Sequence, residues 1–167
     1  MENKKIVCTN KDGVKYDVNA DQLKFRPGVY GIIVRDNKIL LSRVWDSYDF
    51  PGGGVNVGEK IESALAREVK EETGFDVAPK ELISCLDDFH KNTFSDTFVH
   101  SILIYYTCEI TGGELSKDNF DKNQFEDKYM ELAEWVSLEE AAKIKFYDPA
   151  GDLKKQLLVK IKNGGRR

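Results

Sequence analysis

Phe50-Pro51-Gly52-Gly53-Gly54-Val55-Asn56-Val57-Gly58-Glu59-Lys60-Ile61-Glu62-Ser63-Ala64-Leu65-Ala66-Arg67-Glu68-Val69-Lys70-Glu71-Glu72-Thr73-Gly74-Phe75 is the stretch on which the reading of this chain turns. Four glycines in seven positions predict a loop. A helix is expected from about Lys60 to Thr73, because Ile61, Leu65 and Val69 recur every fourth residue and Ala64 and Ala66 widen the stripe. Gly74 fits the left-handed position that closes a helix. Glu68, Glu71 and Glu72 stand at i, i+3 and i+4, so their carboxylates share one helix face. Like charges at that spacing destabilise a helix by about 0.2–0.5 kcal/mol per pair. The negative end of the macrodipole adds to the cost. A bound cation reverses both effects. All the donors are hard oxygens, with no His or Cys close in sequence, which selects Mg2+, Mn2+ or Ca2+ over zinc or copper. Mg2+ takes few carboxylates together with water and phosphate oxygens, which points to a phosphate-bearing substrate. Glycines at 52, 53 and 54 let backbone approach ion and phosphate closely. Arg67 offers a planar fork that can orient Glu59 or Glu71.

Working outward, Ile6 to Thr9 and Val14 to Val18 flank Asn10-Lys11-Asp12-Gly13 and predict a small N-terminal hairpin, an edge element outside the main fold. Val29 to Val34 and Ile39 to Val44 form a second hairpin about Arg35-Asp36-Asn37-Lys38, with Gly31 marking a close approach by another element. Past the helix, Lys80 to Leu86 reads as a short strand and His90 to Asp96 as a loop. Thr97 to Ile110 reads as a central strand, 116–128 as a mobile polar loop, and Leu132 to Val136 as a strand. Ser137 and Glu140 make a capping box for a short helix, and Asp152 is placed as the cap of a last helix running to about Lys162. Strands and helices alternate without a strict βαβ rhythm, which predicts a mixed sheet with helices on both faces.

The bulk numbers bound the problem. A chain of 167 residues, 41% hydrophobic and 32% charged, suits one folded domain. A net charge of −4 argues against a general binder of polymeric nucleic acid. Cys8, Cys85 and Cys108 are odd in number and widely spaced, so buried free thiols are expected rather than zinc or a disulfide framework. No signal peptide and no apolar run of membrane-spanning length is seen, so a cytoplasmic protein is expected. Segments 1–24, 25–163 and 164–167 are read as hairpin extension, main domain and flexible tail.

The spacing in the first stretch is more specific than its composition. Gly53, five residues, Glu59, seven residues, then Arg67-Glu68-Val69-Lys70-Glu71-Glu72-Thr73-Gly74-Phe75 matches Gly-x5-Glu-x7-Arg-Glu-U-x-Glu-Glu-x-Gly-U at every fixed position, U being apolar. Seven specified residues at a background of about 7% each would coincide on the order of once in 10⁸ starts. The chain therefore resembles the Nudix hydrolases. The resemblance implies an α/β/α sandwich with a mixed sheet, the box forming loop, helix and loop. It implies hydrolysis of a nucleoside diphosphate linked to another moiety, using Mg2+ or Mn2+. By motif position, Glu68, Glu71 and Glu72 are implied metal ligands, joined by the carbonyl of Gly52. Glu59 and Arg67 are the supporting pair. The general base is implied either on the box helix or in a later loop, where Glu126, Glu131 and Glu134 are the candidates.

The implied substrate is less defined. An ADP-ribose marker, a proline about 15 residues past the box, is missing at Phe89-His90-Lys91, and Phe94 stands near where dinucleoside polyphosphate hydrolases carry a tyrosine. A nucleoside or deoxynucleoside triphosphate, including oxidised forms, is left by exclusion. ADP-ribose or a nucleotide sugar is the alternative, and a non-catalytic nucleotide-binding module comes after it. Arg43, Trp45 and Phe50 are candidate substrate contacts with Gly53 and Gly54, although core packing is the preferred reading of Phe50. His90 and His100 are read as structural, and a homodimer through the N-terminal hairpin is left open.

Overall fold

The computed structural model describes residues 4–44, 47–92, 95–116, 130–146 and 158–159. Nine strands are described: β1 (Lys5–Thr9), β2 (Lys15–Asn19), β3 (Lys24–Arg35), β4 (Lys38–Val44), β5 (Ser47–Asp49), β6 (Gly52–Gly54), β7 (Phe75–Lys91), β8 (Phe98–Gly113) and β9 (Met130–Ser137). They form one mixed sheet in the order β2-β1-β7-β8-β3-β4-β5, with β6 on β3 and β9 on β4. Two α-helices are described, α1 (Ile61–Thr73) and α2 (Leu138–Ala141).

Strand β3 is the hinge of the architecture. It runs parallel to β8 from Lys24 to Ile33, then pairs antiparallel with β4 at Val34 and Arg35. The β3–β4 turn holds Asp36 and Asn37 at φ 51° and 58°, the left-handed pair that a two-residue hairpin needs.

Side-chain alternation loads both faces of the sheet. Val29 and Ile33 of β3, Leu40 of β4 and Ile104 of β8 pack with Ala64, Leu65 and Val69 of α1. Their neighbours Ile32, Ile39, Leu41 and Tyr105 pack on the opposite side with Ala141 of α2, Phe146 and Leu158. Two cores on one sheet make an α/β/α sandwich, as the alternation of elements predicted. Ser137 and Glu140 form the expected capping box.

Several elements depart from the sequence reading. The segment expected as a short strand from Lys80 is one strand of 17 residues, Phe75–Lys91, paired along β8. Register shifts around Pro79, Leu82 and Ser84 absorb the proline, which has no N–H for the ladder. His90 and Lys91 are therefore strand rather than loop. The N-terminal hairpin forms as expected but joins the main sheet, β1 meeting β7 in parallel at Thr9 and His90. Ile61 is 39% exposed, so the buried stripe of α1 begins at Ala64. Cys85 is exposed, while Cys8 is buried and Cys108 half-buried. Trp45, Phe94, nearly all of the 116–128 loop with Glu126, Asp152 and the 164–167 tail lie outside the described residues; Leu158 and Val159 of the expected last helix are helical.

Candidate active site

The three consecutive glycines form a short strand rather than a free loop. Gly52, Gly53 and Gly54 pair antiparallel with Tyr30, Val29 and Gly28 of β3, which places them in the sheet beside β3, with Gly53 against Glu68 of α1. Each glycine answers a steric demand. Gly52 has φ 151°, and a Cβ there would lie 2.2 Å from the Val29 carbonyl oxygen. A Cβ on Gly53 would lie 2.5 Å from Glu68 Oε2, and one on Gly54 3.0 Å from the Arg26 guanidinium. Helix α1 is seated just as closely. A Cβ on Gly31 would meet Val69 at 3.2 Å and Cys108 at 3.3 Å, which is the close approach the sequence announced. Gly74 closes the helix at φ 79° and donates its N–H to Lys70.

Arg67 is the centre of the polar network. Its Nε and Nη2 each donate 2.9 Å hydrogen bonds to the two oxygens of Glu59, and Nη2 also donates to the Gly54 carbonyl at 3.1 Å. Nη1 reaches Glu68 at 2.8 Å and Glu71 at 3.3 Å. The fork thus engages both carboxylates named for it. It holds the Glu59 carboxyl down to about 2, helped by the Asn56 amide.

Glu72 lies apart from that network. It is 8% exposed. Its Oε2 accepts hydrogen bonds from Ser42 Oγ at 2.7 Å and from the Gly52 amide at 3.2 Å. Burial pushes its pKa well up, and the charges of Glu68 and Asp49 push the same way. Burial also raises Glu68, opposed by Arg67. The expected convergence of three carboxylates is realised as a shared helix face. Among the described residues, no three carboxylates stand at metal-ligand spacing. The physical reason is that Arg67 draws Glu68 and Glu71, while Ser42 and Gly52 hold Glu72. The donor set nonetheless fits a hard divalent cation. Burial raises the proton affinity of Glu72 and of Glu68, the Glu68 charge adding to the first and the Glu71 charge to the second, and a divalent cation held by these acids would offset both burial and repulsion.

Other predicted residues fall elsewhere. Phe50 cannot stack on a base, because its ring is 1% exposed and packs against Tyr105 at 6.0 Å and Phe146 at 5.7 Å. Alternation turns Arg43 away from its neighbour Ser42, and its guanidinium lies 5.9 Å from the Tyr48 ring centroid. Glu134 accepts a 2.5 Å hydrogen bond from the Tyr48 hydroxyl. His90 Nδ1 lies 2.6 Å from Asp88, and His100 Nε2 lies 2.8 Å from Asp87.

Three residues at the site escaped the sequence reading. Ser42 binds Glu72, Asp49 pairs with Ser42 across β4 and β5, and the Arg26 charge acts on Glu68. Ser42 had one signal, a lone hydroxyl closing the apolar run Ile39-Leu40-Leu41.

The glycine strand thus lies against α1, whose Arg67 binds Glu59 and whose Glu72 is buried. The NUDIX domain profile matches residues 24–157, and the chain belongs to that family, the Nudix hydrolases. It is 34% identical over 126 residues to an ADP-ribose pyrophosphatase of Methanocaldococcus jannaschii, covering 66% of this chain and 72% of that one. It is 33% identical over 75 residues to an 8-oxo-dGTP diphosphatase of Buchnera aphidicola subsp. Schizaphis graminum, covering 41% of this chain and 58%, less than two thirds, of that protein. The fold is similar to a crystal structure of a UDP-X diphosphatase, with a TM-score of 0.64 at 21% identity, covering 86% of this chain and 65% of the other.

Proposed function

We propose that this protein is a Mg2+-dependent diphosphohydrolase that cleaves the anhydride of a nucleoside diphosphate joined to a second group. ADP-ribose or a related nucleotide sugar is the first substrate class. Support for that class comes from the archaeal relative, which the chain matches over 72% of its length. The observation that carries the reaction is the buried Glu72 beside Glu68, on the face of α1 that meets the glycine strand. Glu68, Glu71 and Glu72 would hold Mg2+ or Mn2+, with the Gly52 carbonyl beside them. When bound, the ion supplies charge neutralisation at phosphate oxygens and makes a water acidic enough to attack phosphorus.

The chain's own residues do the rest. Glu59 and Arg67 fix the glycine strand to α1 and set the position of Glu68. Ser42 and the Gly52 amide hold one oxygen of Glu72, and the other would serve the ion. A carboxylate of α1 takes the proton of the attacking water, and the anhydride P–O bond breaks with its oxygen leaving on the other phosphate. Arg26, beside Gly54, adds positive charge where a phosphate would lie.

The second reading is a nucleoside triphosphate, oxidised forms included. It is favoured by the absence of the ADP-ribose proline at Phe89-His90-Lys91 and by the Buchnera relative. One experiment separates the two. Incubation with ADP-ribose and Mg2+ is expected to release AMP and ribose 5-phosphate. Faster release of pyrophosphate from a nucleoside triphosphate would favour the second reading, and no hydrolysis of either would refute both.

A further inference from the structure

The face of the sheet that carries α1 continues past the glycine strand into a row of aromatic rings. Along β3, Val29 lies opposite Gly53, and Val55 donates its amide to the Pro27 carbonyl at 3.0 Å. The glycine strand therefore runs down β3 from the Glu68 carboxylate toward Phe25. Phe25, Pro27 and Val29 share one face by alternation. Phe25 is 64% exposed, the one aromatic among the exposed large hydrophobics of the described residues. It stands in register with His100 of β8, which stands in register with Phe89 of β7. The Phe89 and His100 rings stack at 4.4 Å and 25°, and Phe25 meets His100 edge-on at 5.3 Å. The next row of the same face carries Lys91 and Phe98. Tyr16 of the N-terminal hairpin closes that row, 5.6 Å from Phe98, with the Lys91 ammonium 5.0 Å from its ring centroid. Tyr16 lies outside the 24–157 family match, so the hairpin adds its own wall.

We propose that this row is the shelf for the substrate's nucleobase, with the base stacked on Phe25 and the diphosphate reaching back along the glycine strand to Glu68. The inference rests on the function proposed above. The spacing agrees with it. Val29, the partner of Gly53 where Glu68 packs, stands four residues beyond Phe25, or about 13 Å of strand. That is the reach of an extended nucleoside diphosphate. A stack already built from Phe89 and His100 and open at Phe25 accepts any flat base, because every base offers a π-face. The shelf therefore selects for the presence of a base rather than for its identity, and the hairpin bounds its far end.

The test uses two variants of the full chain. Phe25→Ala is expected to raise KM for the nucleotide substrate about tenfold, on the scale of one base–aromatic stack, with kcat within about twofold. Phe25→Trp places a fluorophore on the shelf, read against the wild-type background of Trp45 and Trp135. AMP with Mg2+ has no anhydride to cleave, and it is expected to quench the added emission saturably. Ribose 5-phosphate is expected to leave that emission unchanged. An unchanged KM, or equal quenching by the two ligands, overturns the shelf. A switch from dimer to monomer in Phe25→Ala with KM unchanged would assign the face to a second copy and also overturn it. Should the protein hydrolyse no nucleotide, the proposed function falls, while the AMP response still decides the shelf on its own.

Discussion

Ser42 Oγ donates a 2.7 Å hydrogen bond to Glu72 Oε2 across 30 residues of chain. It ties the hairpin strand β4 to the last turn of α1. Both residues are buried, at 1% and 8% exposure, so the carboxylate draws few partners from water. Removing one donor leaves a buried carboxylate oxygen with the Gly52 amide alone. Ser42→Ala is expected to lower stability by about 1–3 kcal/mol, measured by urea unfolding with a chelator present. Turnover should fall as well, since Glu72 loses its orientation. An unchanged unfolding midpoint would contradict the reading.

The Glu59–Arg67 pair carries a pH signature. The Glu59 carboxyl is held down to about 2 in the folded protein, against an ordinary value of 4.5. The folded value lies below the unfolded one, so the pair stabilises the fold above about pH 4.5, and that contribution fades as pH falls toward about 2. The stability difference between wild type and Glu59→Gln should be flat near neutrality and close progressively across that acid window. A difference that widened on acidification would contradict the assignment. Arg67→Lys keeps the charge but loses the fork, and should cost at least about tenfold in turnover.

Glycine positions separate backbone demand from mere punctuation. Gly52→Ala meets backbone at 2.2 Å with φ 151° and is expected to destabilise by more than about 3 kcal/mol. Gly58 has φ 84° but nothing within 4 Å of an added methyl group, so Gly58→Ala should cost only about 1 kcal/mol. Thermal unfolding of the two variants checks the order, and equal losses would contradict it.

The cysteines differ in reach. Burial raises the Cys8 thiol, with the Asp88 charge adding to it, and pushes Cys108 up to about 12, while Cys85 is exposed. Since the thiolate is the reactive form, native protein at about pH 8 should show one fast thiol with a disulfide reagent, and three after unfolding. Three fast thiols in the native state would contradict the packing around β1 and β8.

Much of the site was legible because its signals are local. Arg67 and the three acids are spaced by helix geometry, Glu59 stands two residues before the helix begins, and Gly74 and Gly31 mark constraints that a single residue carries. What escaped depends on strands meeting across long chain separations. Ser42 reaches Glu72, and Arg26 reaches Gly54, only through register that no short window contains. The full length of β7 was hidden by Pro79 and by the polar pair Asp87-Asp88, which break the apolar pattern although the ladder to β8 continues. Phe50 beside a glycine stretch could be read as a base contact or as core, and only the packing of Tyr105 and Phe146 from distant elements decides for core.

The central claim is that the carboxylates of α1 perform the hydrolysis. The most direct measurement is Mg2+-dependent turnover of Glu72→Gln on the best substrate of the panel, with circular dichroism as the fold control. The expected result is a kcat reduced by about 10²–10⁴ with the spectrum unchanged, on the scale of losing a group that holds a catalytic ion or moves the proton. Turnover at the wild-type rate would contradict it.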